Sequence, residues 1–403
     1  MSEPVVVTGL GTLGAWGSGS DRLAAALAAG APLTSEVDRS AGYHLPCGAR
    51  RACLVPPGQF AGWLSAPESR RMSPPSKLAV AASRMALRCA GLAGAEMEEA
   101  AVVIATAFGP STHTEILLKQ ILLEGPESAS PSLFMESVAN APAAQIAIAL
   151  KARGASVTVC QREAGPLLAL GLGAREVASG RGGRVRRVLA GAVDEMIPLL
   201  HAILDRFGAL TREEVARPFD RRRSGFLAGE GAAVAVLESE PDVVARGGRV
   251  LTRVLAWGSG FDPTAPPSGW GRGHRSLARS LGRTLERAGL RPSDVDLVVS
   301  GASGARDGDR LEAEVLHAAW EGAPLPPVAA PKAVTGEYGG GLLAAAVLAA
   351  AGSPLGPTPG FEEVDPELRV FPHDGSPVEP PAVVLATSLA AGGAGAWVVL
   401  GKA

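Results

Sequence analysis

The chain has 403 residues, 47% of them hydrophobic, which is enough to build two cores of ordinary size. Its 38 basic and 40 acidic side chains leave a formal charge of −2, so no general attraction to nucleic acid or to an anionic membrane is expected. Four cysteines without a Cys-x-x-Cys pair argue against a metal site, and with no evident secretory leader they favour a cytoplasmic location.

Short apolar runs alternate with helical patterns along the chain. Strands are predicted at residues 5–8, 102–105, 157–160, 188–190, 233–237, 297–300, 383–387 and 396–400. Helices are predicted between them, for example at residues 77–89, 167–179 and 276–288. This alternation predicts an α/β protein with mostly parallel sheets. The longest apolar stretch, residues 339–352, is too short for a membrane span.

A stretch rich in Pro, Gly and Arg, residues 240–249, divides the chain into two unequal halves. The halves, residues 1–240 and 250–403, each carry their own series of strands and helices, which suggests a duplication. The segment 258–273 is predicted to be a loop because it contains several prolines and glycines. Further loops are expected at 322–331 and 352–380, and loops of this length usually shape a site or an interface.

Five sequence blocks, spread over the whole chain, carry a resemblance to a known family. They are VVVTGLGTLG at 5–14, SVANAPAAQIA at 137–147, VTVCQREAGPLLALG at 157–171 with VLAGAVD at 188–194, RPFDRRRSGFLAGEG at 217–231, and PKAVTGEYGGG at 331–341. In this order they resemble the β-ketoacyl synthase branch of the thiolase superfamily. The resemblance implies a thiolase-like fold, with duplicated βαβαβαββ halves that form an α-β-α-β-α layered core. It also implies that the first half carries insertions for a cap and a dimer interface.

The chemistry of that family depends on one cysteine and two histidines. The cysteine lies at a helix N-terminus, is activated there as a thiolate and accepts the acyl chain, and the histidines stabilise oxygen atoms as malonate loses carbon dioxide. The resemblance places Glu163 at the cysteine position and Gly301 and Glu337 at the two histidine positions. A lysine that the family usually carries is retained as Lys332. We therefore expect no catalytic residues of the usual kind.

Other residues offer no replacement for the missing groups. The remaining histidines lie in N-terminal segments, on apolar helices or in loops: His44, His113, His201, His274, His317 and His373. Cys160 is expected to lie in the strand before the elbow as a buried, inert thiol. The family's gating aromatic is also absent from the segment SLAAGG at 388–393. Four losses together suggest that the fold was kept while selection for catalysis was relaxed.

Within the family, the elbow resembles the chain length factor of type II polyketide systems, a subunit without the cysteine. That resemblance implies a heterodimer with a cysteine-bearing synthase that elongates a polyketide or polyene by decarboxylative Claisen condensation. It implies no cofactor for this chain, because phosphopantetheine arrives on an acyl carrier protein. Glutamine is common at the elbow position of that subunit, so Glu163 departs from the pattern and puts a direct decarboxylase role in doubt.

The family's dimer interface carries the end of the acyl tunnel, and two segments of this chain match that region. They present Pro110, Thr112, His113 and Leu117 in the first segment and Leu133 and Phe134 in the second. We expect these side chains to limit product length by their volume. Ordinary interface packing is an equal alternative for any one of them.

Three readings of the whole chain remain open. Besides the auxiliary subunit, the chain could be a stand-alone enzyme that uses Glu163, Glu337 and Lys332 for decarboxylation or cyclisation, or a scaffold without a tunnel role. The two carboxylates are more simply neutralised by Lys332 or Arg162 and fill the old pocket. Two arginine clusters, at 221–223 and at 184, 186 and 187, are either solvated or structural, or else bind an acidic carrier protein.

Overall fold

The computed structural model of the protein describes residues 3–179, 185–376 and 379–403. The strands of the first half, β1 to β9, are Val5–Gly14, Gly17–Ser18, Ser35–Glu36, Arg51–Cys53, Ala100–Ala105, Ser156–Val159, Arg187–Asp194, Ala228–Gly229 and Gly231–Ser239. The helices of that half, α1 to α9, are Ser20–Ala29, Ala66–Arg71, Pro74–Cys89, Ser111–Glu124, Pro131–Ser137, Ala141–Leu150, Gly165–Ser179, Pro198–Arg206 and Glu240–Ala245.

The second half repeats the pattern with fewer insertions. Its strands, β10 to β14, are Thr252–Phe261, Leu297–Val299, Val328–Ala329, Val383–Leu389 and Ala394–Lys402. Its helices, α10 to α13, are His274–Arg287, Arg306–Ala319, Lys332–Thr335 and Gly341–Ala350. Short 3₁₀ turns lie at Pro126–Ser128, Arg162–Ala164 and Pro292–Asp294.

Strand order demonstrates the duplication. The first half pairs its strands in the order β6-β5-β7-β9-β1, and the second half pairs β12-β11-β13-β14-β10, which is the same order with corresponding strands. The halves meet where β1 and β10 pair antiparallel, from Val5 with Val254 to Val7 with Thr252. Each half therefore has its main strands and helices in the order βαβαβαββ, as the resemblance implied.

Helices cover and separate the two halves of the sheet. Helix α7 contacts β5, β7, β10 and β14, and helix α13 contacts β1, β9, β13 and β14, so both lie between the halves. Helices α3 and α6 cover the outer face of the first half, and α10 and α11 cover that of the second. This arrangement is the predicted α-β-α-β-α core. Helix α13 fits the middle because Ala and Gly dominate its sequence, GLLAAAVLAA, and leave room for two sheets.

One prediction from glycine and proline content was wrong in part. Residues 258–261 were expected in a loop, but they belong to β10. A Cβ atom at Gly258 would lie 2.0 Å from Thr284 Oγ1, and one at Gly260 would lie 2.6 Å from Trp397, so these glycines permit close packing and make no turn. The dividing stretch 240–249 contains helix α9, because Pro241 occupies the first turn and Ser239 caps the helix.

Two further expectations concern membranes and thiols. No single helix of the described residues is long and apolar enough to cross a membrane, although the bent pair α5 and α6, at 98°, reaches the necessary length and composition together.

Cys160 follows β6 and is exposed, so the prediction of a buried thiol was wrong. The reason is that β6 is the outermost strand of its half and, among the described strands, has a neighbour on one side only.

Candidate functional site

The elbow joins β6 to α7 through a single 3₁₀ turn. The strand is favoured by its β-branched residues at 157–159. Helix α7 begins with Gly165 and Pro166, and proline in the first turn favours a helix start. Between them Arg162 has φ 43°, a left-handed conformation that is uncommon for a residue with a side chain. This sharp turn points the next side chain, Glu163, inward, where only 7% of the residue is exposed.

Glu163 is held from both its backbone and its side chain. The Ser388 hydroxyl donates to the main-chain oxygen of Glu163 at 2.7 Å, and the Tyr338 hydroxyl donates to its Oε1 at 3.3 Å. The other carboxyl oxygen, Oε2, has no hydrogen-bond partner among the described residues. Burial raises the pKa of Glu163, and the nearby Glu337 raises it further, against smaller opposing effects of Lys332 and Arg162.

Glu337 follows the short helix α12, whose first residue is Lys332. The Lys332 Nζ atom lies 2.7 Å from Glu337 Oε1, and each residue is only 3% exposed. This buried ion pair leaves one further carboxyl, that of Glu163, without a cation of its own. The charges of Lys332, Glu337 and Glu163 balance when Glu163 is protonated, in agreement with the direction of its pKa shift.

Tyr338 and Asp194 complete the inner wall, and sequence reasoning missed both. The Tyr338 backbone has φ 80°, and its ring packs edge-on against Phe108, with ring centroids 4.8 Å apart. Asp194 ends β7 and accepts hydrogen bonds from the Thr106 hydroxyl at 2.9 Å and from Ala107 N at 2.8 Å. Burial raises the pKa of Asp194 to about 6. One feature of the sequence could have pointed to Tyr338: it is one of only two tyrosines and lies inside the fifth block.

Gly301 lies just after β11, where the backbone has closed over the space of a side chain. A Cβ atom at this position would lie 2.8 Å from the Thr387 carbonyl oxygen and 2.9 Å from Ser388 Cα. Both contacts are shorter than real Cβ contacts allow. Position 301 therefore has no room for a histidine unless the end of β13 moves.

The space enclosed by these residues is nearly filled. Its volume is about 10 Å³, and it is lined by Arg162, Glu163, Pro166, Asp194, Lys332, Gly336, Glu337, Tyr338, Gly340, Gly341 and Leu342. This volume is about that of one water probe. The segment that should carry the gate closes the outer side, since the Arg162 guanidinium donates to the Ala391 carbonyl at 3.4 Å. An acyl thioester does not fit in this conformation.

The predicted tunnel residues lie elsewhere, on α4 and α5 and in the residue before α4. Pro110 and Leu117 are buried, Thr112, His113 and Leu133 are half-buried, and Phe134 is 60% exposed. The two helices are tied together by the Thr114 hydroxyl, which donates to the Ser137 carbonyl at 3.1 Å. None of the six lines the cavity around Glu163.

Two polar contacts fix the start of α4. Thr112 donates to Glu195 from its backbone N at 2.8 Å and from its hydroxyl at 2.6 Å. Burial raises the pKa of Glu195 to about 7. Burial lowers the pKa of His113, whose Nδ1 atom is enclosed without a hydrogen-bond partner among the described residues. The role of Glu195 was missed, although it directly follows the end of the third block.

An apolar surface surrounds this region. Large side chains on α4, α5, α6 and β6 are exposed: Ile116, Leu118, Leu122, Leu123, Phe134, Met135, Ile148 and Val157. Leu122 and Leu123 are 80% and 83% exposed. We call these eight residues the apolar face. Contiguous exposed apolar side chains of this kind mark protein interaction sites, and β6 adds an unpaired strand edge.

The arginine cluster at 221–223 is structural. Arg221 pairs with Glu363 at 3.0 Å, Arg222 with Glu362 at 2.8 Å, and Arg223 with Asp365 at 2.6 Å. In the second cluster Arg186 and Arg187 pair with Glu99 and Glu238. Arg184 lies outside the described residues. Within the described ranges, no group of three or more His, Cys, Asp or Glu side chains is placed to hold a metal ion.

Comparisons with known proteins agree with the fold. Residues 2–242 match the family model described as "Beta-ketoacyl synthase, N-terminal domain", and residues 256–353 match "Beta-ketoacyl synthase, C-terminal domain". The putative polyketide beta-ketoacyl synthase 1 of Streptomyces halstedii is 30% identical over 91% of this chain and 90% of its own length. The synthase 2 of the same organism is 30% identical over 96% of each chain.

Among solved structures, the ishigamide ketosynthase/chain length factor superposes with a TM-score of 0.90. Its sequence is 29% identical to this chain, and the match covers 100% of both chains.

Proposed function

Since this chain belongs to the β-ketoacyl synthase family, we propose that it is a non-catalytic, chain-length-factor-type subunit of a heterodimeric β-ketoacyl-carrier-protein synthase. The observation that carries the proposal is the elbow cavity of about 10 Å³, filled by a buried carboxyl group where the family requires a thiolate. A carboxylate accepts hydrogen bonds but cannot serve as the family's acyl-accepting thiolate. The names of the similar proteins, which include a ketosynthase/chain length factor, support the same role.

In this role the chemistry belongs to a cysteine-bearing partner. That partner accepts the acyl chain, and the acyl carrier protein brings the extender on phosphopantetheine, so this chain needs no cofactor. Its own contribution is the apolar face, which covers the partner, and the residues of α4 and α5, which limit the growing polyketide or polyene by volume. The exposed Leu122 and Leu123 support such a contact, because burying large aliphatic side chains drives association.

Native mass spectrometry after co-expression with an intact synthase from the same genome tests the proposal. We expect a one-to-one heterodimer that extends malonyl-loaded carrier protein, while this chain alone gives no product. A homodimer that ignores the synthase would refute the auxiliary role.

A second function is favoured by one observation, the enclosed carboxyl of Glu163 with a raised pKa and one oxygen without a partner. A protonated carboxyl in such a place is the usual form of a general acid. With Glu337 and Lys332 it would support a stand-alone decarboxylation or cyclisation. Turnover of malonyl-loaded carrier protein by this chain alone, abolished in Glu163→Gln, would establish that function and exclude the first.

A further inference from the structure

Helix α10 carries a regular row of arginines on its exposed side. Arg275, Arg279, Arg283 and Arg287 follow one another at intervals of four residues, and all four are exposed. Residues four apart share one helix face and are separated by about 6 Å along the axis, so the row is about 18 Å long. The opposite face, which includes Leu277, Leu281 and Leu285, is buried in the second half's outer core. We call the four arginines the α10 row.

The α10 row differs from the other arginine clusters in its lack of acidic partners. In the described part of the chain, none of its four guanidinium groups forms an ion pair, whereas those at 221–223 are all paired within the protein. Arg287 donates only to the Trp257 carbonyl and the Thr284 hydroxyl. The whole chain has a formal charge of −2, so this local excess of positive charge is not a consequence of overall composition.

The row begins beside the closed gate and lies away from the apolar face. The loop before α10 contacts the gate segment, because Asp262 N donates to the Gly393 carbonyl and Gly392 N donates to the Gly269 carbonyl, both at 2.8 Å. Helix α10 packs on β10 and β14 of the second half, whereas the apolar face adjoins β6 at the far edge of the first half. A subunit bound to the apolar face therefore leaves the α10 row accessible.

We propose that the α10 row is a docking surface for an acidic helix of the acyl carrier protein, an inference that rests on the proposed function. A single row of charges at helical spacing matches carboxylates spaced four residues apart on another helix. The row is narrow and is flanked by acidic side chains, Glu286 on α10 and Glu314 on α11, which pairs with His274 at 3.4 Å. These acids disfavour a broad anionic surface such as a membrane.

A carrier protein held at this surface stays near the complex between condensation steps. Tethering raises the effective concentration of a second partner without any new contact at the catalytic centre. Docking at the α10 row is therefore expected to change the affinity of the complex for its carrier protein. The chemical step in the partner subunit is left unchanged.

Titration of the co-expressed heterodimer with the apo acyl carrier protein of the same genome tests the inference. The variant is Arg275→Gln/Arg279→Gln/Arg283→Gln, and the control is Arg22→Gln/Arg212→Gln/Arg249→Gln, which removes three charges from exposed arginines on other elements. Loss of three surface ion pairs is expected to weaken binding by about tenfold and to reduce its salt dependence. The control is expected to bind within about twofold of the unaltered complex.

Equal binding by the α10 variant and the control would overturn the inference and leave the proposed function standing. Binding of anionic phospholipid vesicles by the unaltered complex, lost in the α10 variant without any change in carrier affinity, would also overturn it in favour of a membrane contact. If no heterodimer forms, the proposed function fails first. The same two variants titrated as the single chain then decide whether the row binds carrier protein.

Discussion

At the scale of residues, the elbow brings several ionisable side chains together in a space of about 10 Å³, and three of them, Glu163, Lys332 and Glu337, decide its charge balance. Lys332 and Glu337 form one buried pair, and Glu163 remains as a second carboxyl close to Glu337. Keeping Glu163 protonated avoids an uncompensated buried charge, which would cost several kcal/mol. The amide of glutamine would occupy nearly the same space at this position without an acidic proton to lose.

Replacement of Glu163 by glutamine is expected to leave product formation by the heterodimer nearly unchanged and to alter its stability against pH. A raised folded pKa means that the unfolded chain loses this proton first, so stability falls as pH rises from the unfolded value of 4.5 through the folded one. Each unit of pKa shift is worth about 1.4 kcal/mol. The variant should therefore lose less stability than the parent between pH 5 and 8, as measured by denaturant unfolding.

Other buried acids with raised pKa values, such as Glu195, are present in both proteins and cancel in this comparison. Loss of product with an intact heterodimer would contradict the auxiliary role and support acid catalysis by Glu163.

Adding a single methyl group at Gly301 is expected to lower the stability of the protein. The substitution Gly301→Ala places a Cβ 2.8 Å from a backbone oxygen, which must move with the end of β13. Overpacking of this kind costs about 1–3 kcal/mol, to be measured by urea unfolding. Gly282→Ala is the control, because a Cβ there meets no atom within 4 Å. Equal stability of the two variants would show that the backbone around residue 301 moves to accept a side chain without a loss of stability.

At the scale of elements, the apolar face combines two helices with an open strand edge. The contact of α4 with α5 builds a continuous surface, and neither helix could bury its exposed leucines, phenylalanine and methionine within this chain. The hydrophobic pattern of α4 is therefore not explained by the core of this chain, and the proposed partner contact would account for it.

The double change Leu122→Asp/Leu123→Asp is expected to abolish the heterodimer while the subunit stays folded. The two side chains are largely exposed in the single chain, so only the complex requires them to be desolvated. Native mass spectrometry of the co-expressed pair measures this. Val244→Asp on α9, at a position 71% exposed outside the apolar face, serves as the control and should assemble normally.

Shortening Leu117 is expected to lengthen the products. Leu117 is the buried leucine of α4, and Leu117→Ala would remove about three methylene or methyl groups from the proposed end wall. Ile203→Ala on α8, at a position 40% exposed and outside the apolar face, is the control. The product distribution, read by mass spectrometry, should shift by at least one extension unit in the first variant only. The same distribution in both would assign α4 to packing alone.

The sequence predicted regular elements well and the contacts of individual side chains poorly. Runs such as 188–190 and 396–400 mark strands because β-branched and aliphatic residues dominate them. In contrast, the positions of Tyr338 and Asp194 at the elbow depend on β7 and the end of α12, which are distant from it in sequence. Local patterns hold no information about such pairs, and the same holds for glycines such as Gly258, whose neighbour Thr284 lies on another element.

At the scale of the whole molecule, the middle layer unites the two halves. Helices α7 and α13 each contact strands of both halves. Among the described residues, the halves pair directly through the short ladder of β1 with β10 and through two isolated bridges, Asp220 with Val364 and Ala228 with Glu337. Most of the apolar surface that one half presents to the other is therefore covered by these two helices. Neither half is expected to be stable alone, because its middle helix would be exposed on one side.

The chain passes between the halves once, in the segment after α9, and each strand of the two five-stranded series lies on its own side of that crossing. A cut at residues 247–249 would leave every helix and every strand pairing uninterrupted. The same subunit could then be reconstituted from two separate polypeptides, one ending after α9 and one beginning before β10. The segment at 247–249 therefore joins two halves that pack together like the subunits of a dimer, and its main effect is to fix their stoichiometry at one to one.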